Sequence, residues 1–474
     1  MSRNYYLFFF LCLVCIYHSN AQTQTNFKTI PLSNLDAFDH PGSNWTITGG
    51  ATADISTEGI MHTVPGTGTV VNLIAQKNNT HLVTRERFGD IELELDFMMP
   101  KGSNSGIYLQ GRYEVQLFDS WGNIDPTYAD CGGIYQRWDD KRPGFTKGYE
   151  GMPPLMNTAK APGLWQHVHI KFRAPRFDSQ GKKTENARFE EVFLNGVLIQ
   201  QQVEVTGPTR AAAYEDEQPE GPIMLQGDHG NVAFRNISYR PLTGQNTTPP
   251  DTDLPDPIIV KAVGRPYLLR SFINYKDKLL THGISVGDPK QVNYSYDMKQ
   301  GALFQVWRGQ FANATDLWHE RGEPYQRIVP MGSVIVLSDA PALAVLPDVN
   351  TTLWPQAIAF DDIHNKGYTL DAARSPLFKY SFNNMNVADK ITVPDATGLT
   401  RSITVTNAPA DLYIRVAAGK KIESIGKELY TVDDRQFYVA IGDKLKPIIR
   451  QSGSNQELLI PVKSNEPVTY SLIW

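Results

Sequence analysis

Two polar residues in the stretch from Gly102 to Gly122, Glu114 and Gln116, lie two positions apart. They alternate with apolar residues, and side chains alternate across a β-strand, so both leave by one face. A carboxylate and a carboxamide on one sheet face are suited to hydrogen-bonding a polyhydroxylated ligand. Glu114 could also move a proton if burial in a cleft raises its pKa. The alternative is a structural carboxylate that bonds an arginine or a neighbouring strand.

Further polar residues lie near this pair in the sequence. Tyr108, Gln110 and Arg112 are separated from Glu114 by even numbers of positions, so they lie on its face of the strand, provided that no bulge at Gly111 breaks the alternation. The segment from Asp139 to Thr158 is polar, rich in glycine and proline, and long enough to indicate either a functional loop or disorder. With Gln116, the candidates for holding a ligand are Tyr108, Gln110, Arg112 and Asn157.

A second candidate cluster is the pair Asp228-His229, which lies in a glycine-flanked turn after an apolar run. Histidine titrates near neutrality, so His229 could act as an acid, a base or a metal ligand. The alternative is an Asx-type turn that carries an exposed histidine. We take Glu114 and His229 as the candidate catalytic residues.

An acidic stripe supplies a further carboxylate. Acidic residues alternate with apolar ones from Ile91 to Phe97, which predicts an antiparallel strand with one wet face. If this stripe lines the cleft, Asp96 could join Asp228 as a metal ligand. The alternative is a solvated outer surface.

The composition describes a globular chain and argues against several classes of function. Of 474 residues, 41% are hydrophobic and 20% are charged, with a net charge of -5. No run of lysine and arginine indicates a nucleic-acid partner. Signatures of zinc proteases, phosphate-binding loops and dinucleotide-binding folds are absent. The aromatic content of 11% fits sugar stacking, but also an ordinary aromatic-rich β-protein.

The first 21 residues predict a cleaved signal peptide. Arg3 provides the positive end, an apolar run follows, and Ser19 and Ala21 offer the small residues of a cleavage site. The run is short for a membrane span, and no other long apolar run follows. We therefore expect a protein without a membrane span that is periplasmic or secreted. Outside this peptide only Cys131 remains, which excludes an intrachain disulfide.

The rest of the sequence predicts two β-rich domains. Residues 22–242 show strand alternation and an Asn-Gly hairpin at Asn195, without convincing helical periodicity, which favours an all-β sandwich of two antiparallel sheets. Residues 243–257 are rich in proline, threonine and aspartate and predict an extended linker. Residues 258–474 are again rich in strands and predict a second β-rich domain, which we expect to be a sandwich.

A set of motifs in the first domain closely resembles the 3-keto-disaccharide hydrolase domain family. The resemblance runs from about Phe27 to Leu242 and is specific as a set. The motifs are Asn104-Ser105-Gly106-Ile107-Tyr108, Gly111-Arg112-Tyr113-Glu114-Val115-Gln116, Cys131-Gly132-Gly133-Ile134-Tyr135, Phe172-Arg173-Ala174-Pro175-Arg176-Phe177 and Leu225-Gln226-Gly227-Asp228-His229-Gly230.

This resemblance implies a concanavalin-like β-sandwich, or jelly roll, with a sugar on its concave sheet. It also implies a glycoside or oligosaccharide substrate already oxidised at carbon 3 by a partner sugar oxidoreductase. A ketone at carbon 3 acidifies the hydrogen at carbon 2, so a base can remove it and the glycosidic oxygen leaves by β-elimination. Water can then add back. The route needs a base, an acid, and an electrophile such as a hydrogen-bond donor or a divalent metal ion.

The second domain carries the motifs Gly283-Ile284-Ser285-Val286-Gly287, Tyr296-Asp297, Trp307-Arg308-Gly309-Gln310-Phe311 and Trp318-His319-x-Arg321-Gly322. Through them it has a fainter resemblance to a β-rich module of exported proteins that also carry sugar-dehydrogenase-like or cytochrome c domains. Two alternatives to an enzyme that cleaves 3-keto-glycosides stay open. One is a non-catalytic carbohydrate-binding protein on the same fold, and the other is a conventional glycosidase.

Overall fold

The structure, a computed structural model, describes residues 26–74, 77–242, 256–318 and 327–474. The predicted signal peptide and most of the predicted linker lie outside the described residues. We call the described residues up to 242 the first unit and those from 256 the second unit. The first unit contains the strands β1 (Lys28–Thr29), β2 (Phe38–Asp39), β3 (Trp45–Ala53), β4 (Met61–Asn72), β5 (Leu82–Phe88), β6 (Ile91–Met98), β7 (Asn104–Leu109), β8 (Tyr113–Phe118), β9 (Arg137–Trp138), β10 (Gly148–Tyr149), β11 (Gln166–Arg173), β12 (Arg176–Phe177), β13 (Lys183–Glu185), β14 (Ala187–Leu194), β15 (Val197–Val205), β16 (Gly221–Leu225) and β17 (Val232–Pro241), with a short 3-10 helix at Gly144–Lys147.

Two antiparallel sheets form the first unit. The larger has the order β15-β14-β11-β6-β17-β4-β3, with β1 paired to β17, and the smaller has the order β2-β5-β16-β7-β8. Apolar residues from both sheets form one core, among them Leu93 and Ile170 of the larger sheet and Ile107 and Val115 of the smaller. The predicted all-β sandwich is confirmed. Each sheet therefore has one face in the core and one outer face, and polar residues at alternate positions mark the outer faces.

The acidic stripe lies on the outer face of the larger sheet, where it is paired rather than solvated. Glu92 is buried and accepts a hydrogen bond from Arg240, and it lies 3.0 Å from His169 Nε2. Asp96 lies 2.9 Å from His167 Nδ1 and accepts a bond from Asn236. The stripe therefore lies on an outer face, as the alternative reading predicted, but Glu92 and Asp96 are paired there rather than free in solvent. Antiparallel pairing of β6 with β11 and β17 brings basic side chains alongside the carboxylates.

A tight turn joins β7 to β8 at Gln110 and Gly111. Both residues have positive φ, 56° and 65°, and Arg112 N–H donates to Leu109 O at 3.0 Å. The hairpin places Tyr108 opposite Glu114. Its register therefore places a tyrosine and a carboxylate side by side on the outer face of the smaller sheet.

The second unit is also almost entirely β-structure, with one short helix α1 (Thr315–Trp318) and a 3-10 turn at Phe360–Asp362. Its strands form sheets of six, four and eight strands. The strands are β18 (Ile259–Val260), β19 (Tyr267–Tyr275), β20 (Lys278–Gly287), β21 (Val292–Asp297), β22 (Ala302–Asn313), β23 (Val329–Val336), β24 (Leu343–Val345), β25 (Ile363–Leu370), β26 (Pro376–Phe382), β27 (Met385–Asp395), β28 (Gly398–Thr406), β29 (Leu412–Gly419), β30 (Ile422–Ser424), β31 (Leu429–Val432), β32 (Phe437–Ile441), β33 (Ile448–Ser452), β34 (Asn455–Pro461) and β35 (Val468–Ile473).

The two units share contacts but no sheet. Within the described residues, every sheet draws its strands from one unit only. The core of the second unit nevertheless extends to Ala161 and Leu164 of the first. Tyr438 donates its hydroxyl to Pro162 O at 2.9 Å, and Arg235 is paired with Asp434. The division into domains at residues 22–242 and 258–474 stays a prediction.

The paired acidic stripe generates a stability prediction. Glu92→Gln removes the charge from a buried carboxylate that bonds an arginine and a histidine, so we expect the free energy of unfolding to fall by about 1.5–3 kcal/mol. Glu94→Gln is the matched control, because Glu94 lies on the same face of β6 and has no ion pair among the described residues. Its change should stay within about 0.5 kcal/mol. Equal effects of the two variants in urea unfolding would contradict the structural role of Glu92.

Candidate functional site

Glu114 lies at the centre of the candidate site, on the outer face of the smaller sheet. Its neighbours Val115 and Tyr113 point into the sandwich core, so the alternation of β8 sends Glu114 the other way. The residue is nevertheless only 2% exposed. The register of β7 and β8 places Glu114 and Gln116 on one face, as predicted.

A glycine makes room for the carboxylate. Gly106 of β7 lies opposite Gln116, and a Cβ atom at this position would collide with Glu114 Oε1. The carboxylate therefore leans over Gly106. On the other side of β7, Gln226 N–H donates to Gly106 O at 2.9 Å, so Gln226 flanks the same hollow. Sequence reasoning did not select Gln226, although its parity on β16 could have indicated it.

A segment that follows β8 covers the edge of this sheet. Gln116 N–H donates to Gly133 O at 2.8 Å, and Tyr135 N–H donates to Glu114 O at 3.1 Å. Gln200 of the larger sheet supports the segment by donating to Gly132 O at 3.0 Å. Residues 132–135 thus act as one more strand beside β8, and they bring the half-buried Tyr135 next to Glu114.

The electrostatics of the site raise the pKa of Glu114 to about 8. Burial is the largest cause, because it disfavours the charged form. The nearby Tyr108 hydroxyl opposes the increase in the pKa, and the negative charge of Asp228 adds to it. In the structure this hydroxyl donates to Arg210 O at 3.3 Å. The pKa of Tyr108 is raised in turn, first by burial and then by Glu114. A carboxylate with such a pKa is a stronger base than an ordinary glutamate once it is ionised.

Asp228 forms a cluster with two histidines at the rim of the site. Asp228 Oδ1 lies 2.6 Å from His229 Nδ1 and 3.9 Å from His81 Nδ1. Gly227 N–H donates to His81 Nδ1 at 3.3 Å, so a neutral His81 carries its proton on Nε2. Burial lowers the pKa of His81, which favours this neutral form. No local pattern in the sequence indicates His81, since it is 147 positions from Asp228 and only the fold brings the two together.

Two of the predicted ligand-binding residues have structural partners instead. Gln110 donates to Phe88 O at 3.2 Å and to Pro219 O at 3.0 Å. Arg112 is buried, and its Nη2 donates to Asp216 Oδ1 at 2.7 Å. The turn at Gly111 breaks the parity on which their selection depended, and both side chains fasten the loop before β16 to the hairpin.

Asn157 and Asp96 also lie outside the candidate site around Glu114. Asn157 is buried and donates to Ser120 O at 2.6 Å and to Asn123 O at 2.9 Å, so it fastens the loop after β8. Asp96 belongs to the outer face of the other sheet. The structure therefore brings Glu114, Tyr108 and Gln116 together, with Asp228 and His229 at the rim, and it does not bring Asp96 to Asp228.

The described residues contain neither a metal-binding cluster nor a membrane-spanning helix. No group of three or more histidine, cysteine, aspartate and glutamate side chains is arranged to hold a metal ion within residues 26–74, 77–242, 256–318 and 327–474. No helix in the described part of the chain is both long and apolar enough to cross a membrane.

Comparison with known proteins gives one family match. A family described as the 3-keto-alpha-glucoside-1,2-lyase-like domain matches residues 33–240. This match covers the first unit and less than half of the chain, and it confirms the resemblance that the motifs predicted there. It supports a carbohydrate-active enzyme. No match supports the predicted resemblance of the second unit, which stays a prediction. No curated protein sequence matches the chain.

Solved structures similar to this chain include three named as candidate glycosyl hydrolases of Parabacteroides distasonis. The first is 25% identical with a TM-score of 0.31, over 45% of this chain and 84% of that one. The second is 22% identical with a TM-score of 0.30, over 45% of this chain and all of that one. The third is 16% identical with a TM-score of 0.27, over 43% and 90% of the two chains.

The raised pKa of Glu114 makes stability depend on pH. The folded-state pKa of about 8 lies well above the value of 4.5 for a free glutamate, so this carboxyl group stabilises the fold most below pH 4.5. That contribution is lost as the pH rises towards 8. Glu114→Gln removes the effect, so we expect its stability relative to the unsubstituted protein to rise between pH 5 and pH 9, by at most about 5 kcal/mol.

Urea unfolding at several pH values would measure this difference. Glu466→Gln is the control, because this glutamate is exposed in the second unit. A rise of the same size in this variant would show that the effect is not specific to Glu114. A Glu114→Gln difference that stays the same at every pH would contradict a carboxyl group held neutral in the folded state.

Proposed function

We propose that the protein is an exported enzyme that cleaves 3-keto-glycosides by carbon-2 deprotonation, β-elimination and hydration. The observation that carries the proposal is Glu114, a buried carboxylate with a pKa raised to about 8 and no cationic partner among the described residues. The family match over residues 33–240 supports the substrate class. The predicted signal peptide supports export.

In the first step the Glu114 carboxylate takes the proton from carbon 2. The electron pair of that bond moves towards the carbon-3 ketone and forms an enolate. A hydrogen-bond donor stabilises the enolate oxygen, and His81 Nε2–H is the candidate. The Tyr108 hydroxyl could serve only by turning from Arg210 O, to which it donates at 3.3 Å.

In the second step the enolate collapses and the bond between carbon 1 and the glycosidic oxygen breaks. This leaves a double bond between carbons 1 and 2, conjugated to the ketone, and the departing oxygen needs a proton. His229, hydrogen-bonded to Asp228, is the candidate acid. Water then adds at carbon 1 and a proton returns to carbon 2, which completes net hydrolysis. A separate reaction that oxidises the carbon-3 hydroxyl must supply the substrate.

Turnover of matched substrates tests this function. We expect the protein to cleave a 3-keto-glucoside and to leave the unoxidised glucoside intact. The value of kcat/KM should rise with pH and level off above about 8, because the base must be ionised. Glu114→Gln should lower kcat by at least about 100-fold. Cleavage of both glycosides would favour a conventional glycosidase, and binding without cleavage would favour a carbohydrate-binding protein.

The position of Gly106 gives a second test of the base. Gly106→Ala places a methyl group where Glu114 Oε1 lies, so the carboxylate must move. We expect kcat for the 3-keto-glucoside to fall at least about tenfold, since small displacements of a catalytic group are costly. Gly50→Ala is the control, because a Cβ there meets only Val64 at 4.0 Å. If Gly106→Ala kept full activity, Glu114 would not act from its observed position.

A further inference from the structure

Two carboxamides flank the hollow above Gly106. Gln116 lies beside it on β8 and Gln226 follows β16 on the other side, and they are only 4% and 6% exposed. Asn104 lies two residues before Gly106 on the same face of β7. The Glu114 carboxylate leans over the same glycine. Carboxamides and carboxylate thus share one patch of the outer sheet face.

The side-chain oxygen of each carboxamide lacks a hydrogen-bond partner. Gln116 Oε1, Gln226 Oε1 and Asn104 Oδ1 are buried and accept no bond from the described residues. A buried acceptor without a donor costs about 1–3 kcal/mol, and native proteins contain few of them. Three such atoms on one face, around a buried catalytic carboxylate, point to donors that arrive with a ligand.

We propose that Asn104, Gln116 and Gln226 form an acceptor row that binds the hydroxyl groups of one sugar ring and positions that ring over Glu114. This inference rests on the proposed function and adds the recognition of the substrate. Hydroxyl groups donate to carboxamide oxygens, whereas carboxylate and phosphate groups cannot. The negative charge of Asp228 beside the site disfavours anions further. The row therefore selects a neutral ring rich in hydroxyl groups, and it rejects uronic acids and sugar phosphates.

Methionine variants separate binding from structure. Gln116→Met and Gln226→Met keep the shape of the side chain and remove an unpartnered acceptor, so we expect stability to stay equal or to rise. At the same time KM for a 3-keto-glucoside should increase at least about tenfold, with a smaller change in kcat. Gln166→Met is the matched control. Gln166 is buried too, but its Oε1 accepts from Lys160 N–H at 2.9 Å and from Asn195 Nδ2 at 3.2 Å. The Gln166→Met variant should therefore lose stability and keep the KM of the unsubstituted protein.

Unfolding measurements give a readout that does not depend on turnover. If Gln116→Met and Gln226→Met lose as much stability as Gln166→Met, their oxygens have partners within the protein and the acceptor row is overturned. Unchanged KM values in both variants would overturn it as well.

Binding separates this inference from the proposed function. If the unsubstituted protein fails to cleave the 3-keto-glucoside, the function fails, and the row is tested by the rise in melting temperature that the sugar causes. If the sugar raises the melting temperature of the unsubstituted protein but of neither methionine variant, the acceptor row is supported. If the sugar raises no melting temperature, or raises all of them equally, the acceptor row is overturned. A glucuronide that raises the melting temperature as much as the neutral sugar also overturns it.

Discussion

The candidate site depends on the burial of one carboxyl group without a cation to neutralise it. Glu114 has a tyrosine hydroxyl and an aspartate as its electrostatic neighbours, one neutral and one of like charge. Such burial costs free energy in the ionised form, so the surrounding structure has to maintain it. Gly106 leaves the space, residues 132–135 close the sheet edge, and Gln200 supports that segment from the other sheet. Arg112, only two residues away, bonds Asp216 instead.

The acidic residues of the larger sheet show the opposite arrangement. Glu92 and Asp96 also alternate along a strand on an outer sheet face, yet bonds from arginine and histidine lower the pKa of both. There, burial raises the pKa and the basic partners more than compensate. Two stripes with the same pattern in the sequence thus lie in different electrostatic surroundings. Partners on neighbouring strands pair the carboxylates of one stripe, whereas Glu114 has no cationic partner among the described residues.

The sequence predicts the parts of this arrangement that depend on local alternation. The alternation from Ile91 to Phe97 corresponds to the strand Ile91–Met98, and the Asn-Gly turn predicted at Asn195 joins two paired strands. The shared face of Glu114 and Gln116 follows from the same periodicity. The same periodicity wrongly placed Gln110 and Arg112 beside Glu114, because two residues of positive φ turn the chain between the strands. The partners of Asn157 and the approach of His81 to Asp228 depend on contacts between distant segments, which no local pattern contains.

The second unit contributes to the site through the segment that covers it. After β8 the chain leaves the sheet, and Trp121 donates its indole N–H to Trp474 O at 2.8 Å. Gln291 of the second unit donates to Ile124 O at 2.9 Å. Where the chain returns to the larger sheet, Tyr438 bonds Pro162 O. The chain before and after residues 132–135 is therefore fixed to the second unit, while residues 132–135 themselves pair with β8 beside Glu114. Because a buried, unpaired carboxylate tolerates little displacement of its surroundings, packing between the two units belongs to the same constraint as Gly106 and Gln200.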